Sequence, residues 1–256
     1  MSEEQKNAAT PQTDTRPYVL VVLPVYNEER RLRDGVQTLS AFLQYHDECR
    51  WKVLVADNAS KDGTADLAKV LAKQIPGVEY LHIPRKGRGI ALRTAWGETN
   101  CDYVCYMDID LSTSLVALIR AVELLKSGSD IVVGNRLHKD SGVRRCLKRE
   151  FVSRSYNIVI RTTLGTHFLD AHCGFKTARR AVAQKILPYI VDNEWFFDTE
   201  FLFYGEKMGY SIVEIPVIWT EDMNTKAKIF KDASDDLKGL WRLKFHNTLK
   251  PGDAVK

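Results

Sequence analysis

The chain has 256 residues, of which 45% are hydrophobic and 27% are charged, and its formal net charge is +4. This composition is that of an ordinary globular protein with room for one large α/β domain or two small ones, and so modest a charge does not by itself indicate nucleic-acid binding. Because no apolar run approaches the roughly 18 residues that a membrane span needs, we expect no transmembrane segment.

Strand and helix patterns alternate through the first half of the chain. The polar stretch up to residue 16 is expected to be a disordered tail. Buried strands are predicted after it at residues 18–24, 51–57, 78–83, 103–107 and 130–134. Amphipathic helices are predicted between them, the last at residues 114–126. This alternation predicts a mostly parallel sheet with helices on both faces and right-handed crossovers.

The pattern weakens after residue 135. The segments expected there are a basic loop at 136–150, an irregular stretch at 166–177, one strand at 211–219, and helices at 151–164, 178–190, 198–208 and 232–244. No linker rich in proline, glycine or serine marks a second unit, so we predict a single domain.

The acid pair Asp108 and Asp110 follows the predicted strand 103–107. In an extended strand, side chains two residues apart point to the same side, and two carboxylates there repel each other unless a cation or hydrogen-bond donors lie between them. Mg²⁺ and Mn²⁺ prefer such oxygen ligands, often together with substrate phosphates. The pair therefore predicts a metal–diphosphate site, the alternative being a solvated turn. Ser112 and Thr113 are expected to cap the next helix.

Polar residues also follow the other predicted strands. Asp57 is a candidate acceptor for a base ring N–H, or else a turn residue, and Asn27 and Glu28 are candidates for base or ribose hydroxyls. The segment 85–89 (Arg-Lys-Gly-Arg-Gly) offers cations and backbone N–H groups to phosphate. It matches neither the Walker nor the Rossmann glycine pattern, which argues against kinases, ATPases and dinucleotide-binding enzymes.

Taken in order, these segments resemble the family-2 glycosyltransferases of GT-A fold over about residues 18–245. The segments that match are 24–28 (Pro-Val-Tyr-Asn-Glu), 57–64 (Asp-Asn-Ala-Ser-Lys-Asp-Gly-Thr), 85–89 and 108–110 (Asp-Ile-Asp). Five later segments are most similar to members that load a hexose onto dolichyl or polyprenyl phosphate: 134–136, 148–150, 172–176, 195–200 and 216–221. The aromatic residues at 195–197 are expected either to stack on a sugar or to lie in the core.

The resemblance implies one Rossmann-like GT-A domain at residues 17–245, followed by a flexible tail at 246–256. Its nucleotide-sugar half would end near residue 135, and its acceptor half would follow. The implied catalytic residues are Asp108, Asp110, Asp198 and Glu200. The implied donor-site residues are Pro24, Tyr26, Asn27, Glu28, Asp57, Lys86, Gly87, Asp108 and Ile109. Mg²⁺ or Mn²⁺ would be held by Asp110, Asp108 and Asp198, and the acceptor phosphate by Arg136 and Arg149.

The implied reaction is the metal-dependent, inverting transfer of a hexose, with UDP-glucose the expected donor, to polyprenyl or dolichyl phosphate. Its alternatives are a mannosyltransferase that uses GDP-mannose, a soluble glycosyltransferase with a carbohydrate acceptor and Asp198 or Glu200 as its base, and a nucleotide-sugar-binding protein without activity. Ile109 and the start of segment 85–89 depart from the family pattern, which leaves the donor open.

A location at the cytosolic face of a membrane is expected. Residues 136–161 hold eight basic residues against two acids, which predicts peripheral contact with an anionic membrane surface. The five cysteines form no pair or spacing typical of zinc, and their odd number without a secretory signal predicts reduced thiols in the cytosol.

Overall fold

The computed structural model describes residues 14–144, 147–220, 229–246 and 249, and the side chains in these ranges except at 147–149 and 229–234. The tails predicted at 1–16 and 246–256 lie mostly outside them. The strands are β1 (Tyr18–Val25), β2 (Arg50–Asn58), β3 (Val78–Ile83), β4 (Tyr103–Met107), β5 (Ile131–Asn135), β6 (Gly142–Arg144), β7 (Phe175–Arg179), β8 (Ile212–Pro216) and β9 (Ile218–Thr220). The helices are α1 (Glu29–Gln44), α2 (Thr64–Gln74), α3 (Arg88–Gly97), α4 (Val116–Lys126), α5 (Leu147–Leu164), α6 (Arg180–Ile186), α7 (Phe197–Lys207) and α8 (Ile229–His246).

Seven of the described strands form one sheet in the order β3-β2-β1-β4-β7-β5-β8. β1 pairs in parallel with β2 and β4, β2 with β3, and β5 with β8. β7 runs antiparallel to both of its neighbours, β4 and β5. The sheet is therefore mostly parallel, and the α/β architecture predicted from the alternation is confirmed.

Helices cover both faces of this sheet. Alternate residues of β1 belong to two apolar clusters, with Val19 and Val21 packed among α1, α2 and α4, and Leu20 and Val22 among α3, α6 and α7. All of β4 is buried. Burying an apolar side chain of this size contributes about 1.5–3 kcal/mol to the stability of the fold. The position of the acid pair that follows β4 is therefore well defined.

The direction of the strands brings several chain segments to one edge. Because β1, β2, β4 and β5 run the same way, their carboxyl ends lie at the same edge of the sheet. β7 is antiparallel and begins at that edge, where Phe175 pairs with Met107 of β4. Residues 170–174 therefore lie beside the ends of β4 and β5, where ligands bind in open α/β sheets.

The prediction of local structure is wrong around β7 to β9. The stretch 166–177, expected to be irregular, contains the start of β7, and the helix expected at 178–190 is the shorter α6 with a 3₁₀ turn, Leu187–Tyr189. Lys176 is buried within β7 and breaks its apolar pattern. The strand expected at 211–219 is two strands, because Pro216 has no N–H to continue the ladder. β9 pairs instead with β6, which lies in the expected basic loop.

The segment after the acid pair also differs from the prediction. α4 starts at Val116 rather than near residue 114, and neither hydroxyl residue at 112 and 113 caps it. Instead, Ser114 N donates to Ile218 O at 2.9 Å, and Thr220 N donates to Ser112 O at 3.0 Å. The backbone after the acid pair is thus bound to β9.

Helices α5 and α8 pack against each other on one side of the molecule. Both expose large apolar side chains, Phe151 and Ile158 on α5 and Trp241 and Phe245 on α8. In the ranges that the structure describes, no helix combines the length and the apolarity needed to cross a membrane.

Candidate active site

Asp57 lies at the carboxyl end of β2 and is completely buried. One of its oxygens accepts a hydrogen bond from Ser60 N at 3.0 Å, and the other lies 3.3 Å from both the Tyr80 hydroxyl and His82 Nδ1. His82 is exposed on the neighbouring strand β3. Since nothing of Asp57 reaches the surface, this carboxylate could meet a base ring N–H only if Tyr80 or His82 moved aside.

The turn after β1 is bound to the turn after β2. Asn27, at a φ of 56°, accepts a hydrogen bond from Lys61 N at 2.7 Å and donates its own backbone N–H to Ser60 Oγ at 2.9 Å. Glu28 N donates to Thr64 Oγ1 at 2.8 Å. The two predicted nucleotide-binding turns are therefore hydrogen-bonded to each other. The side-chain oxygen of Asn27 takes part in this contact.

Four other predicted donor-site residues have distinct surroundings. Tyr26 and Lys86 meet, with Lys86 Nζ 4.3 Å from the centre of the tyrosine ring, as in a cation–π contact. Ile109 is buried against α1, where Gly35 leaves the room that it fills. Ile109 therefore packs the acid-pair loop onto α1 instead of facing a donor. Pro24 lies within β1, paired with Ala56.

In segment 85–89, the N–H groups of both glycines, which were predicted to be free for a phosphate, are bound within the protein. Gly87 N donates to Asn58 Oδ1 at 3.2 Å. Gly89 N and Ile90 N each donate, at 3.1 Å, to a carbonyl oxygen of residues 193–194. Gly87 has a φ of 146° and lies so close to a carbonyl of that segment that no Cβ fits. The two glycines therefore have no free N–H for a phosphate.

Arg88 is the side chain that the glycine segment directs inward, and it is only 9% exposed. Its Nη2 lies 3.2 Å from Asp108 Oδ1, and its Nη1 lies 3.3 Å from Asp198 Oδ2. The guanidinium carbon lies 4.7 Å from the ring centres of both Tyr106 and Trp195. Although burial lowers the pKa of Arg88, the neighbouring acids outweigh that effect and raise it. Arg88 is a permanent cation between two carboxylates.

Asp108 and Asp110 lie in a turn and not in an extended strand. β4 ends one residue before Asp108, and Leu111 N donates to Asp108 O at 3.0 Å. Burial raises the pKa of Asp108, Arg88 opposes this, and the charge of Asp110 adds to it. The side chain of Asp108 is 38% exposed, and Asp110 Oδ1 accepts a hydrogen bond from Ser112 N at 3.0 Å. Two partly exposed acids of this kind fit one divalent cation whose other ligands are substrate phosphates.

Asp198, the third predicted metal ligand, lies in a network of ion pairs. It is almost completely buried, accepts a hydrogen bond from the Tyr106 hydroxyl, and lies 3.2 Å from Lys176 Nζ in addition to its contact with Arg88. Burial raises its pKa, but Lys176 and Arg88 outweigh burial and lower it, so Asp198 is ionised. Among the described residues, no three His, Cys, Asp or Glu side chains are grouped to hold a metal ion. With its oxygens in ion pairs, Asp198 does not fit a metal, and Asp108 and Asp110 remain the candidates.

Glu200 points away from the acid pair. Side chains two residues apart on a helix are separated by roughly 200° around its axis, so Asp198 and Glu200 on α7 face different neighbours. Glu200 Oε2 accepts hydrogen bonds from Val191 N at 2.9 Å and Asp192 N at 2.8 Å, and Oε1 lies 2.5 Å from Arg242 Nη2. Burial raises its pKa against the opposing effect of these donors. The carboxylate of Glu200, which was predicted to be catalytic, thus binds the backbone of residues 191 and 192 and Arg242 of α8.

Arg136 is bound within the protein. Its Nε and Nη2 donate to Asp170 at 2.8 and 2.9 Å, and its backbone N donates to the same carboxylate at 2.9 Å. Burial raises the pKa of Asp170, but Arg136 outweighs burial and lowers it to about 2. Of its three guanidinium nitrogens, Nη1 is the one not bound to Asp170, so Arg136 could contact an acceptor phosphate, as predicted, only through Nη1. Arg149 belongs to α5, but its side chain lies outside the described part.

Sequence reasoning missed Lys176, Tyr106 and Arg88. Lys176 is fully buried and donates to Ala171 O at 2.8 Å and to Cys173 O at 2.9 Å. A buried ammonium group needs such partners, because its desolvation is costly. Lys176 and Arg88 both stand in segments that match the family, but local sequence does not tell which way a charged side chain points.

The aromatic run divides between core and site. Phe196 and Phe197 are each 1% exposed and belong to the core, whereas Trp195 is 48% exposed and lies over Arg88. Trp195 is therefore the residue of this run that remains available to a sugar.

The sequence model of the family Glycosyl transferase family 2 matches residues 20–187. The chain belongs to this family. Its predicted family and enzyme class, a glycosyltransferase, are confirmed. Glycosyltransferase AglD of Haloferax volcanii is 34% identical over 235 residues, which cover 88% of this chain but only 37% of that protein.

Two other relatives match over most of their own length. Dolichyl-phosphate beta-glucosyltransferase of Dictyostelium discoideum is 26% identical over 246 residues, which cover 91% of this chain and 75% of that protein. Polyprenol monophosphomannose synthase of Mycolicibacterium smegmatis is 29% identical over 256 residues, which cover 93% of this chain and 94% of that protein.

Among solved structures, glucosyl-3-phosphoglycerate synthase of Mycobacterium tuberculosis with Mn²⁺, UDP and glucosyl-3-phosphoglycerate has a TM-score of 0.68 at 19% identity. The match covers 92% of this chain and 82% of that chain. The same enzyme with Mg²⁺ and UDP has a TM-score of 0.66. The likeness confirms the predicted single domain of GT-A type.

Proposed function

We propose that this protein transfers a hexose from a nucleotide sugar, with UDP-glucose the expected donor, to polyprenyl phosphate, with inversion at the anomeric carbon. The observation that carries the proposal is the acid pair, partly exposed at the sheet edge where Asp57 also lies. The choice of acceptor is supported by the names of the two relatives that match over most of their length.

Asp108 and Asp110 are the residues that would hold Mg²⁺ or Mn²⁺. Asp110 uses one oxygen for Ser112 N, and within the described residues no hydrogen bond uses the other. A cation bound there would neutralise the charge that develops on the leaving nucleoside diphosphate. Arg88 holds Asp108 from the protein side and so limits the directions in which that carboxylate can point.

The neighbouring carboxylates favour a phosphate acceptor over a carbohydrate. A phosphate monoester is largely ionised at neutral pH because its second pKa is about 6, so its attack needs no general base. A sugar hydroxyl does need one. The candidate bases, Asp198 and Glu200, are both buried in ion pairs with arginine or lysine. Neither carboxylate is free to take a proton from a hydroxyl.

We further propose that residues 17–135 bind the donor and that residues 136–245 bind the acceptor at a membrane surface. The second part contains α5 and α8 with their exposed apolar side chains, and Arg154 and Arg161 lie on α5 near them. Basic residues close to anionic headgroups gain about 1 kcal/mol each. The protein would then lie peripherally on the cytosolic face.

A donor panel tests the proposal. UDP-glucose and GDP-mannose are each incubated with Mn²⁺, with and without a polyprenyl phosphate, and the product mass is measured. We expect a glucosylated lipid phosphate that does not form in excess chelator. A mannosylated product would assign the other donor, transfer to soluble sugars alone would replace the lipid acceptor, and neither binding nor turnover of any donor would overturn the enzymatic proposal.

A further inference from the structure

Glu200 connects three parts of the chain without facing the acid pair. Its carboxylate is completely buried and holds two consecutive backbone N–H groups, those of Val191 and Asp192. Its other oxygen binds Arg242 of α8. Because α7 carries Glu200 on a buried turn, the 191–194 segment and α8 are both anchored to the same helix.

The 191–194 segment in turn holds the start of α3. The first N–H groups of a helix have no partner within the helix, and here the carbonyls of residues 193 and 194 accept from Gly89 N and Ile90 N. A side-chain bond adds to this contact, with Arg93 Nη1 donating to Asn193 Oδ1 at 3.2 Å. The approach is so close that a Cβ on Gly89 would lie 2.8 Å from a carbonyl oxygen of the segment.

Arg88 is the residue between Gly87 and Gly89, and its guanidinium reaches both Asp108 and Asp198. Its Nε and Nη2 are buried, and neither forms a well-aligned hydrogen bond with the described residues. The position of the guanidinium therefore depends on its backbone and the two flanking aromatic rings as well as on the two ion pairs. The backbone at this point is bound to the 191–194 segment.

We propose that Glu200 is a positioning residue, which places Arg88 between Asp108 and Asp198 through the 191–194 segment and links that placement to the docking of α8. The expected effect on turnover rests on the proposed function, but the structural link from Glu200 through the 191–194 segment to Arg88 does not. Glu200 itself touches neither donor nor acceptor. Its loss would let the segment move, release the start of α3 and displace Arg88.

Amide hydrogen exchange of Glu200→Ala tests the link directly. We expect exchange at Gly89 and Ile90, as well as at Val191 and Asp192, to be faster by about tenfold or more, because each amide would lose its acceptor or the anchor of its acceptor. Glu206→Ala is the matched control. Glu206 lies on the same helix and also accepts from a backbone N–H, that of His167 at 2.9 Å. Among the described residues, its hydrogen bonds go to His167 and not to the 191–194 segment. Its variant should accelerate exchange at His167 and not at Gly89.

Kinetics separate positioning from general destabilisation. In Glu200→Ala we expect kcat to fall by about tenfold to a hundredfold, since small misplacements of an active-site group have effects of that size, while the donor KM stays within about twofold. Arg242→Ala, which removes only the α8 partner of Glu200, should give a smaller fall in kcat, and Arg242→Lys should restore part of it.

Unchanged exchange at Gly89 and Ile90 in Glu200→Ala would overturn the proposal, as would equal effects at these amides in Glu206→Ala. If Glu200→Ala does not fold, Glu200→Gln is measured instead, since it removes the charge that strengthens the bonds to Val191 N and Asp192 N. Unchanged exchange at Gly89 and Ile90 in that variant would overturn the proposal. Exchange needs no substrate, so a wild-type protein that turns over no nucleotide sugar would overturn the proposed function and leave the link to be judged by exchange alone.

Discussion

Gly174 lies directly against the carboxylate of Asp108, and no side chain fits between them, because a Cβ at position 174 would overlap Asp108 Oδ2. The two residues are also joined through the backbone, where Asp108 N donates to Gly174 O at 3.3 Å. Gly174 immediately precedes β7, so the antiparallel strand sets the position of the first acid of the pair.

Gly174→Ala should therefore displace the Asp108 carboxylate. We expect a loss of stability of about 1–3 kcal/mol from overpacking and a fall in kcat of about a hundredfold, measured by urea denaturation and by donor turnover. Gly97→Ala is the control, since a Cβ on Gly97 meets nothing within 4 Å. Wild-type kinetics in Gly174→Ala would show that the position of Asp108 is unimportant.

Asp110→Asn should remove most metal-dependent activity. The change leaves the size of the side chain intact but takes one charge from the candidate cation site, and a loss of about 10²-fold or more is the size seen for other electrostatic stabilisers. Turnover and the dependence of UDP binding on Mn²⁺ are the measurements. Full wild-type activity in excess chelator would rule the metal out.

Asp57→Ala should weaken nucleotide binding more than it slows the chemical step. Uracil and guanine both carry a ring N–H that can donate a hydrogen bond to a carboxylate. Asp57 is the buried acid at the end of β2. Calorimetry with UDP and GDP, next to kcat at saturating donor, measures the difference. Unchanged affinity for both nucleotides would make Asp57 a structural residue that holds Ser60 and Tyr80.

Arg136→Ala and Arg149→Ala should have different effects. Removing Arg136 leaves Asp170 buried and unpaired, and breaking a buried pair in this way costs about 3–5 kcal/mol. Arg149→Ala should raise the KM for polyprenyl phosphate. Denaturation and acceptor kinetics of both variants are the test, with Arg136→Ala/Asp170→Ala expected to recover stability. If both single variants keep wild-type acceptor kinetics, the assignment of a lipid-phosphate acceptor fails.

Stability should fall as the pH falls from about 6.5 to about 4. Burial lowers the pKa of His172 to about 4, Lys176 and Arg136 add to this, and Asp198 opposes it. The unfolded state, in which histidine has a pKa of about 6.5, then binds more protons than the folded state within this window, so acid favours unfolding. Urea denaturation between pH 7 and pH 4 should show a smaller slope in His172→Gln. An identical slope would mean that other groups cause the dependence.

The sequence by itself determined the family, the parallel part of the sheet and the residues at its strand ends. Asp57 and Asp108 follow runs of buried strand residues, and that pattern is local, so it can be read without knowing what packs where. The same holds for α1 and the central strand β4, whose apolar residues are buried as their pattern predicts. In α2 the match is partial, because Val70 is 41% exposed.

Only the tertiary structure decided which charged groups meet. Asp198 and Glu200 are two residues apart and looked alike in sequence, yet one pairs with Arg88 and Lys176 and the other with Arg242 and the 191–194 segment. Arg136 looked free for a phosphate until the antiparallel β7 brought Asp170 beside it. The reason is physical: burial forces charged groups to find partners, and those partners come from distant parts of the chain that only the folded packing brings together.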